Sequence, residues 1–159
     1  MTQERSNLLP ACGFILALAV ICALAFNLLM PQGIGILPPE MKNPLWQWVS
    51  PQEAAKLYDQ GALFVDARDP GKYKLAHIKG AVNLYPEELE GVFKLLKRKF
   101  VDAGMVVVHG RKFSTFPAAI VAQNLRQKGL KKVLVVKGDL EELKAAGLPL
   151  RLPRRRASR

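Results

Sequence analysis

The chain has 159 residues, with 24 Lys plus Arg against 13 Asp plus Glu and a formal net charge of +11. That length holds one ordinary domain and excludes two of full size. With half its residues hydrophobic and 23% charged, the chain is neither a disordered segment nor a multi-spanning membrane protein. Residues 1–30 carry only Glu4 and Arg5, so the entire positive excess lies beyond them. Such a charge favours anionic lipid, nucleic acid or acidic proteins without specifying a fold.

Residues 1–7 form a short flank. Residues 8–30 contain no charge and are interrupted only by Pro10, Gly13 and Asn27. As a helix rising about 1.5 Å per residue they reach roughly 34 Å, enough to cross a hydrocarbon core of about 30 Å. The expectation is a single-pass transmembrane helix or signal anchor that contacts membrane lipid. A cleaved secretory signal competes, because Ala23-Leu24-Ala25 offers a small-x-small site. Against cleavage, only Arg5 precedes the apolar core, and the run continues through Leu28, Leu29 and Met30. A run apolar on every face does not suit a helix packed in a soluble core. Arg5, the α-amino group and Glu4 before the helix, net about +1, against Glu40 balanced by Lys42 after it, lean toward a cytoplasmic N-terminus, with the rest on the outer, periplasmic or extracytoplasmic face. Both cysteines, Cys12 and Cys22, lie in this stretch. The remainder therefore has no disulfide framework, no cysteine zinc site and no cysteine nucleophile.

Residues 31–45 hold Pro31, Gly33, Gly35, Pro38, Pro39 and Pro44, a density of breakers that reads as a linker. Trp46-Gln47-Trp48-Val49 alternates with period two and predicts a strand, the alternative being two tryptophan rings at the lipid headgroups. Ser50, Pro51 and Glu53 form a helix start, Ala54, Ala55, Leu57 and Tyr58 supply its apolar face, and Gly61 closes it. Further strands are predicted at Leu63-Phe64-Val65, Ala81-Val82-Asn83-Leu84, Met105-Val106-Val107-Val108 and Val133-Leu134-Val135-Val136. The last two are apolar on both faces, as buried parallel strands are. Helical patterns lie between and after them at residues 73–77, 87–100, 117–128 and 140–146. This alternation predicts an α/β domain with a central, mostly parallel sheet over residues 46–150. Residues 151–159 carry five arginines and little to bury, which predicts an unstructured tail.

After the strand at Leu63 come Asp66, Arg68, Tyr73, His77-Ile78, Gly80-Ala81 and Asn83; an aspartate and an arginine at a strand end can pair, and Gly80 permits a sharp turn. Much later come Val135-Val136-Lys137-Gly138-Asp139 and Ala146-Gly147-Leu148-Pro149. Together these segments closely resemble the rhodanese homology domain, over about two-thirds of the chain. Gly138-Asp139 replaces that family's usual Gly-Gly, and Leu143 its frequent aromatic residue. The resemblance implies a three-layer domain around a five-stranded parallel sheet, with Asp66, Arg68, His77, Gly80, Asn83 and Gly138 in structural roles. It also implies a catalytic cysteine in the loop after the fourth strand, which accepts sulfur from a donor such as thiosulfate.

That loop is His109, Gly110, Arg111, Lys112, Phe113, Ser114, Thr115 and Phe116, and it has no cysteine. Ser114 or Thr115 has too high a pKa and the wrong element for persulfide chemistry. No catalytic residue, metal or cofactor is expected, and the domain reads as an inactive relative. Arg111, Lys112, Ser114, Thr115 and the amides ahead of Pro117 are suited to a small oxyanion or an acidic side chain. Alternatively the loop is plain surface, with Ser114 or Thr115 capping a helix. His77 is expected to hold its turn, and His109 to sit near the pocket where ligands meet parallel sheets. Lys94, Lys97, Arg98 and Lys99 fall on one side of a helix whose other side holds Val92, Phe93, Leu95, Leu96 and Phe100. That side is either a solvated face or a lipid-contacting one. Nothing indicates specific nucleic-acid binding. The sequence therefore suggests a membrane-anchored binding or interaction module with a membrane-protein or oxyanion partner. Its alternatives are a sulfurtransferase-related enzyme that borrows a partner's cysteine and a basic tether at the membrane surface.

Overall fold

A computed structural model describes residues 3–29, 43–112 and 114–153. The chain divides into two compact units, Met1–Pro39 and Glu40–Arg159. In the first, α1 (Gln3–Leu29) is one uninterrupted helix. Its stretch Pro10–Leu29 has a mean hydropathy of 2.6 and no buried side chain. Twenty residues at about 1.5 Å each match a hydrocarbon core. The helix is thus long and apolar enough to cross a membrane, a test that signal sequences also pass. The linker and tail expected from the sequence lie largely outside the described residues, at 30–42 and 154–159.

In the second unit, runs of valine and leucine buried on both faces make the inner strands. β1 (Gln47–Val49), β2 (Leu63–Asp66), β4 (Val82–Asn83), β5 (Val106–His109) and β6 (Val133–Val136) form a five-stranded parallel sheet in the order β1-β6-β5-β2-β4. Alternate residues face opposite sides. Leu63, Val65, Val106, Val108, Val133 and Val135 join one apolar cluster, while Phe64, Val107, Leu134 and Val136 join the other. The first cluster is covered by α4 (Leu89–Asp102), which follows a single 3-10 turn at Pro86–Glu88, and by α5 (Phe116–Gln127). The second is covered by α2 (Pro51–Asp59) and α6 (Leu140–Ala145). The result is the three-layer α/β arrangement expected, with both cores drawn entirely from residues 46–150. This unit carries everything it needs to fold alone.

Ser50 accepts the Glu53 amide while the Glu53 carboxylate accepts the Ser50 amide, so α2 starts on the expected capping box. Asp139 and Glu142 form a second one at α6. Gly138 sits where α6 meets α2: a Cβ there would lie 2.6 Å from Glu142 Oε2 and 2.9 Å from the Pro51 ring. The Glu142 oxygen is already committed to the Asp139 amide at 2.9 Å, so a methyl group must break that cap or part the helices. Gly138→Ala is expected to cost about 1–3 kcal/mol, read as a lower urea midpoint with an unchanged slope.

Three expectations need correction. The helix placed at residues 73–77 is α3 (Pro70–Leu75), started by Asp69, whose side chain accepts the Lys72 amide. His77 and Ile78 instead form β3, which pairs antiparallel with β7 (Leu150–Arg151) in a separate two-stranded sheet. Arg151 therefore belongs to the folded unit rather than to a tail. Leu95, assigned to the inner face of its helix, is 84% exposed: Leu89, Phe93 and Phe100 set the buried stripe of α4, and Leu95 lies round the helix from it.

Candidate functional site

Ligands of parallel sheets sit beyond the carboxyl ends of the strands, where β2 ends on Asp66 and β5 on His109, side by side in register. Both side chains are fully buried. A buried carboxylate needs partners, and Asp66 has several. Its two oxygens accept the Arg68 guanidinium at 2.6–3.1 Å, and Oδ1 also accepts the Arg68 amide. Arg68 donates onward to the Ala76 carbonyl at 2.6 Å, joining the strand end to the segment after α3. Asn83 on β4 donates to the carbonyls of Asp66 and Arg68. Tyr73 reaches the Ala81 carbonyl, and its ring stacks on His77 at 3.9 Å. The His77 ring bonds the Tyr73 carbonyl, so it braces α3 rather than the turn at Gly80, whose φ of +84° suits glycine alone. Asp66, Arg68, Tyr73, His77, Gly80 and Asn83 thus form one brace along the β2–β4 segment.

His109 is different. Neither ring nitrogen has a hydrogen-bond partner, and Nε2 lies 3.6 Å from Asp66 Oδ2. Burial pushes its pKa below the ordinary histidine value, outweighing the opposing pull of the Asp66 charge; the Arg68 charge adds to the lowering. The imidazole is neutral at pH 7, beside an ion pair that is already closed.

From His109 the chain turns at Gly110 into a tight loop in which Arg111 and Ser114 bridge. Gly110 keeps the loop close to α5: a Cβ there would lie a tight 3.2 Å from that of Ala118 in the first turn. Thr115 is the residue before α5, yet its side chain makes no capping bond. The helix therefore begins without the side-chain cap that a purely structural reading of this loop supplies, and its first amides stay available. Phe113 lies outside the described residues. Facing the loop is a cleft of about 300 Å³ lined by Arg68, Lys72, Gly110, Arg111, Lys112 and the start of α6 at Asp139, Leu140 and Glu141. Arg111 stands 3.4 Å from Asp69, and Lys112 stands 4.0 Å from Asp139. Their side chains are 52% and 61% exposed, so these pairs hold the cations weakly. The amide of Lys72, then the charge of Arg111, keep the Asp69 carboxyl below its usual range.

Of the expected anion-binding residues, Gly110, Arg111 and Lys112 line the cleft. His109 lies buried at its base strand, Ser114 and Thr115 close the loop, and Phe116 is partly exposed as the first residue of α5. Gly138 precedes the cleft wall at Asp139. Sequence reasoning missed Lys72 and Glu141. The signal available for Lys72 was Asp69-Pro70, a cap followed by proline, which starts a helix at this edge. No group of three or more His, Cys, Asp or Glu side chains suited to a metal ion occurs among the described residues.

Residues 50–146 match the family model described as the rhodanese-like domain. The chain is 35% identical over 77 residues to the thiosulfate sulfurtransferase GlpE of Pseudomonas fluorescens, covering 47% of this chain and 68% of that protein. It is 33% identical over 95 residues to GlpE of Pseudomonas entomophila, covering 58% and 80%. Among solved structures it is similar to a rhodanese-like domain from Anabaena, with a TM-score of 0.55 and 21% identity over 72% of this chain and 86% of that one. At that identity the likeness is one of fold.

Proposed function

The chain belongs to the rhodanese-like domain family, and from that membership we propose a membrane-anchored member with no sulfurtransferase activity of its own, which binds an oxyanion or acidic group in the cleft beside the 110–116 loop. One observation carries the reading: from Ala23 to Arg159 there is no cysteine. Sulfur transfer through a persulfide needs a thiolate that attacks the donor and keeps its outer sulfur. No oxygen or nitrogen side chain in the loop can form that species. What the loop keeps is electrostatic. Arg68, Lys72, Arg111 and Lys112 line the cleft, a set of cations that attracts an arriving negative charge. Asp139 and Glu141 line the same cleft, Asp139 4.0 Å from Lys112, so an anion there competes with these carboxylates for the cations. The helix α1 serves as the anchor, with the globular unit on the outer face.

A second reading is favoured by the GlpE relatives: the domain handles a sulfur anion on behalf of a partner that supplies the cysteine. Both readings predict no thiocyanate above the no-protein control when the purified chain is incubated with thiosulfate and cyanide. Turnover by the chain alone would overturn both. Calorimetric titration with sulfate, thiosulfate and phosphate tests the cleft. The expected result is binding that Arg111→Ala with Lys112→Ala weakens at least about tenfold; heat signals indifferent to these changes would remove the cleft from the proposal. Thiocyanate that appears only with an added thiol protein would favour the second reading.

A further inference from the structure

The opposite end of the sheet, where the strands begin, is unlike the cleft. Two open depressions of about 760 and 330 Å³ meet there at Ala103. The first is lined by Lys79, Arg98 and Lys99, and the second by Val101 and Lys131; Lys132 adjoins them, its carbonyl bonded to the first amide of β5. Lys79, Arg98, Lys99, Lys131 and Lys132 are exposed. None of them has a carboxylate within ion-pair distance among the described residues. Lys128 beside them is satisfied by Glu90 at 2.6 Å, and Asp102 is the acidic residue lining the first depression. A cluster of unpaired like charges raises the local positive potential and attracts an anionic surface. Amid these charges α4 exposes two aliphatic side chains, Leu95 at 84% and Val101 at 66%. Each is three residues from Arg98, so they flank it on the outward face. Cations that ring exposed aliphatic side chains match a headgroup layer over hydrocarbon, and a nucleic acid offers no use for the aliphatic pair.

We propose that this strand-start end of the globular unit docks on the surface of an anionic lipid bilayer, with Arg98, Lys99, Lys131 and Lys132 on headgroups and Leu95 and Val101 at the acyl boundary. Docking this way turns the cleft, at the other end of the strands, away from the lipid. The proposal draws on the reading of α1 as an anchor for one point only: a tethered domain meets the bilayer at high effective concentration, so weak contacts suffice.

Flotation of residues 43–159 with vesicles tests the face without α1. Binding to phosphatidylglycerol vesicles and not to phosphatidylcholine vesicles is expected, weakening as salt is raised. Each cation at an anionic surface is worth about fivefold in affinity. Arg98→Gln, Lys131→Gln and Lys132→Gln together should therefore weaken binding about a hundredfold. Leu95→Gln with Val101→Gln should weaken it severalfold while leaving binding to duplex DNA unchanged. Removing residues 154–159 should leave the effect of both sets of variants in place. The proposal is overturned if the folded variants float like the parent, if removing 154–159 alone abolishes flotation, or if the aliphatic variants have no effect and DNA competes the vesicles away. Circular dichroism confirms that each variant is folded. The anchor is tested apart, by extracting membranes that hold the full chain with alkaline carbonate. Release of the chain would sink the anchor reading and leave the vesicle result standing.

Discussion

Arg68→Ala is expected to destabilise the globular unit by about 3–5 kcal/mol, because it leaves a buried charge without its partner. The Asp66 side chain has no exposure, and that of Arg68 is 12% exposed, so water cannot replace the guanidinium. The loss is compounded at the Ala76 carbonyl, which gives up a 2.6 Å bond. Urea unfolding of the parent and variant at neutral pH measures the difference. Asp66→Asn with Arg68→Met removes both charges and should recover much of it, since a pair replaced by neutral groups leaves no stranded ion. A single variant within about 1 kcal/mol of the parent would show that the Asp66 carboxylate is held by something other than Arg68.

Stability is also expected to fall as pH drops below about 6.5, the ordinary histidine value. His109 has its folded-state pKa lowered, so in that window the unfolded chain binds the proton and the folded chain does not. The slope is then up to about 1.4 kcal/mol per pH unit, ending where the folded-state pKa is reached. The carboxylates with lowered values, Glu53, Asp69 and Glu90, act in a separate window, losing their contribution only as pH falls below about 4.5. His109→Gln should flatten the first window and leave the second. Arg68→Ala makes a sharper test. It removes the cation that helps hold His109 neutral and leaves Asp66, 3.6 Å from Nε2, as the dominant neighbour. The dependence near pH 6 should shrink or reverse in that variant. An identical slope in parent and His109→Gln would assign the effect to other groups.

Much of this architecture is legible in the residues because burial and capping leave local marks. Val106-Val107-Val108 and Val133-Leu134-Val135-Val136 read as strands because a sheet covered on both faces demands apolar side chains at every position. Ser50 and Glu53 announce α2, since a capping box is a four-residue pattern. Asp66 and Arg68 lie two positions apart and pair as that spacing suggests. What escaped depends on segments far apart in the chain. His77-Ile78 and Leu150-Arg151 are two-residue strands, too short for any periodicity, and each exists only because the other is opposite. Lys72 reaches the cleft because β5 lies next to β2 rather than next to β4, which no local pattern encodes. Leu95 was misplaced because a run of apolar residues from Val92 to Leu96, broken only by Lys94, covers more of the helix circumference than its stripe can bury.

The small antiparallel pair also has a bearing on how the polypeptide matures. Ile78 and Lys79 find their backbone partners in Leu150 and Pro149, about seventy positions later in the order of synthesis. Until those residues are made, the stretch after α3 lacks the backbone partners that β7 supplies. Closure of that corner therefore waits until Pro149 and Leu150 have been made, and a nascent chain stalled before Pro149 would leave the Ile78–Lys79 edge unpaired.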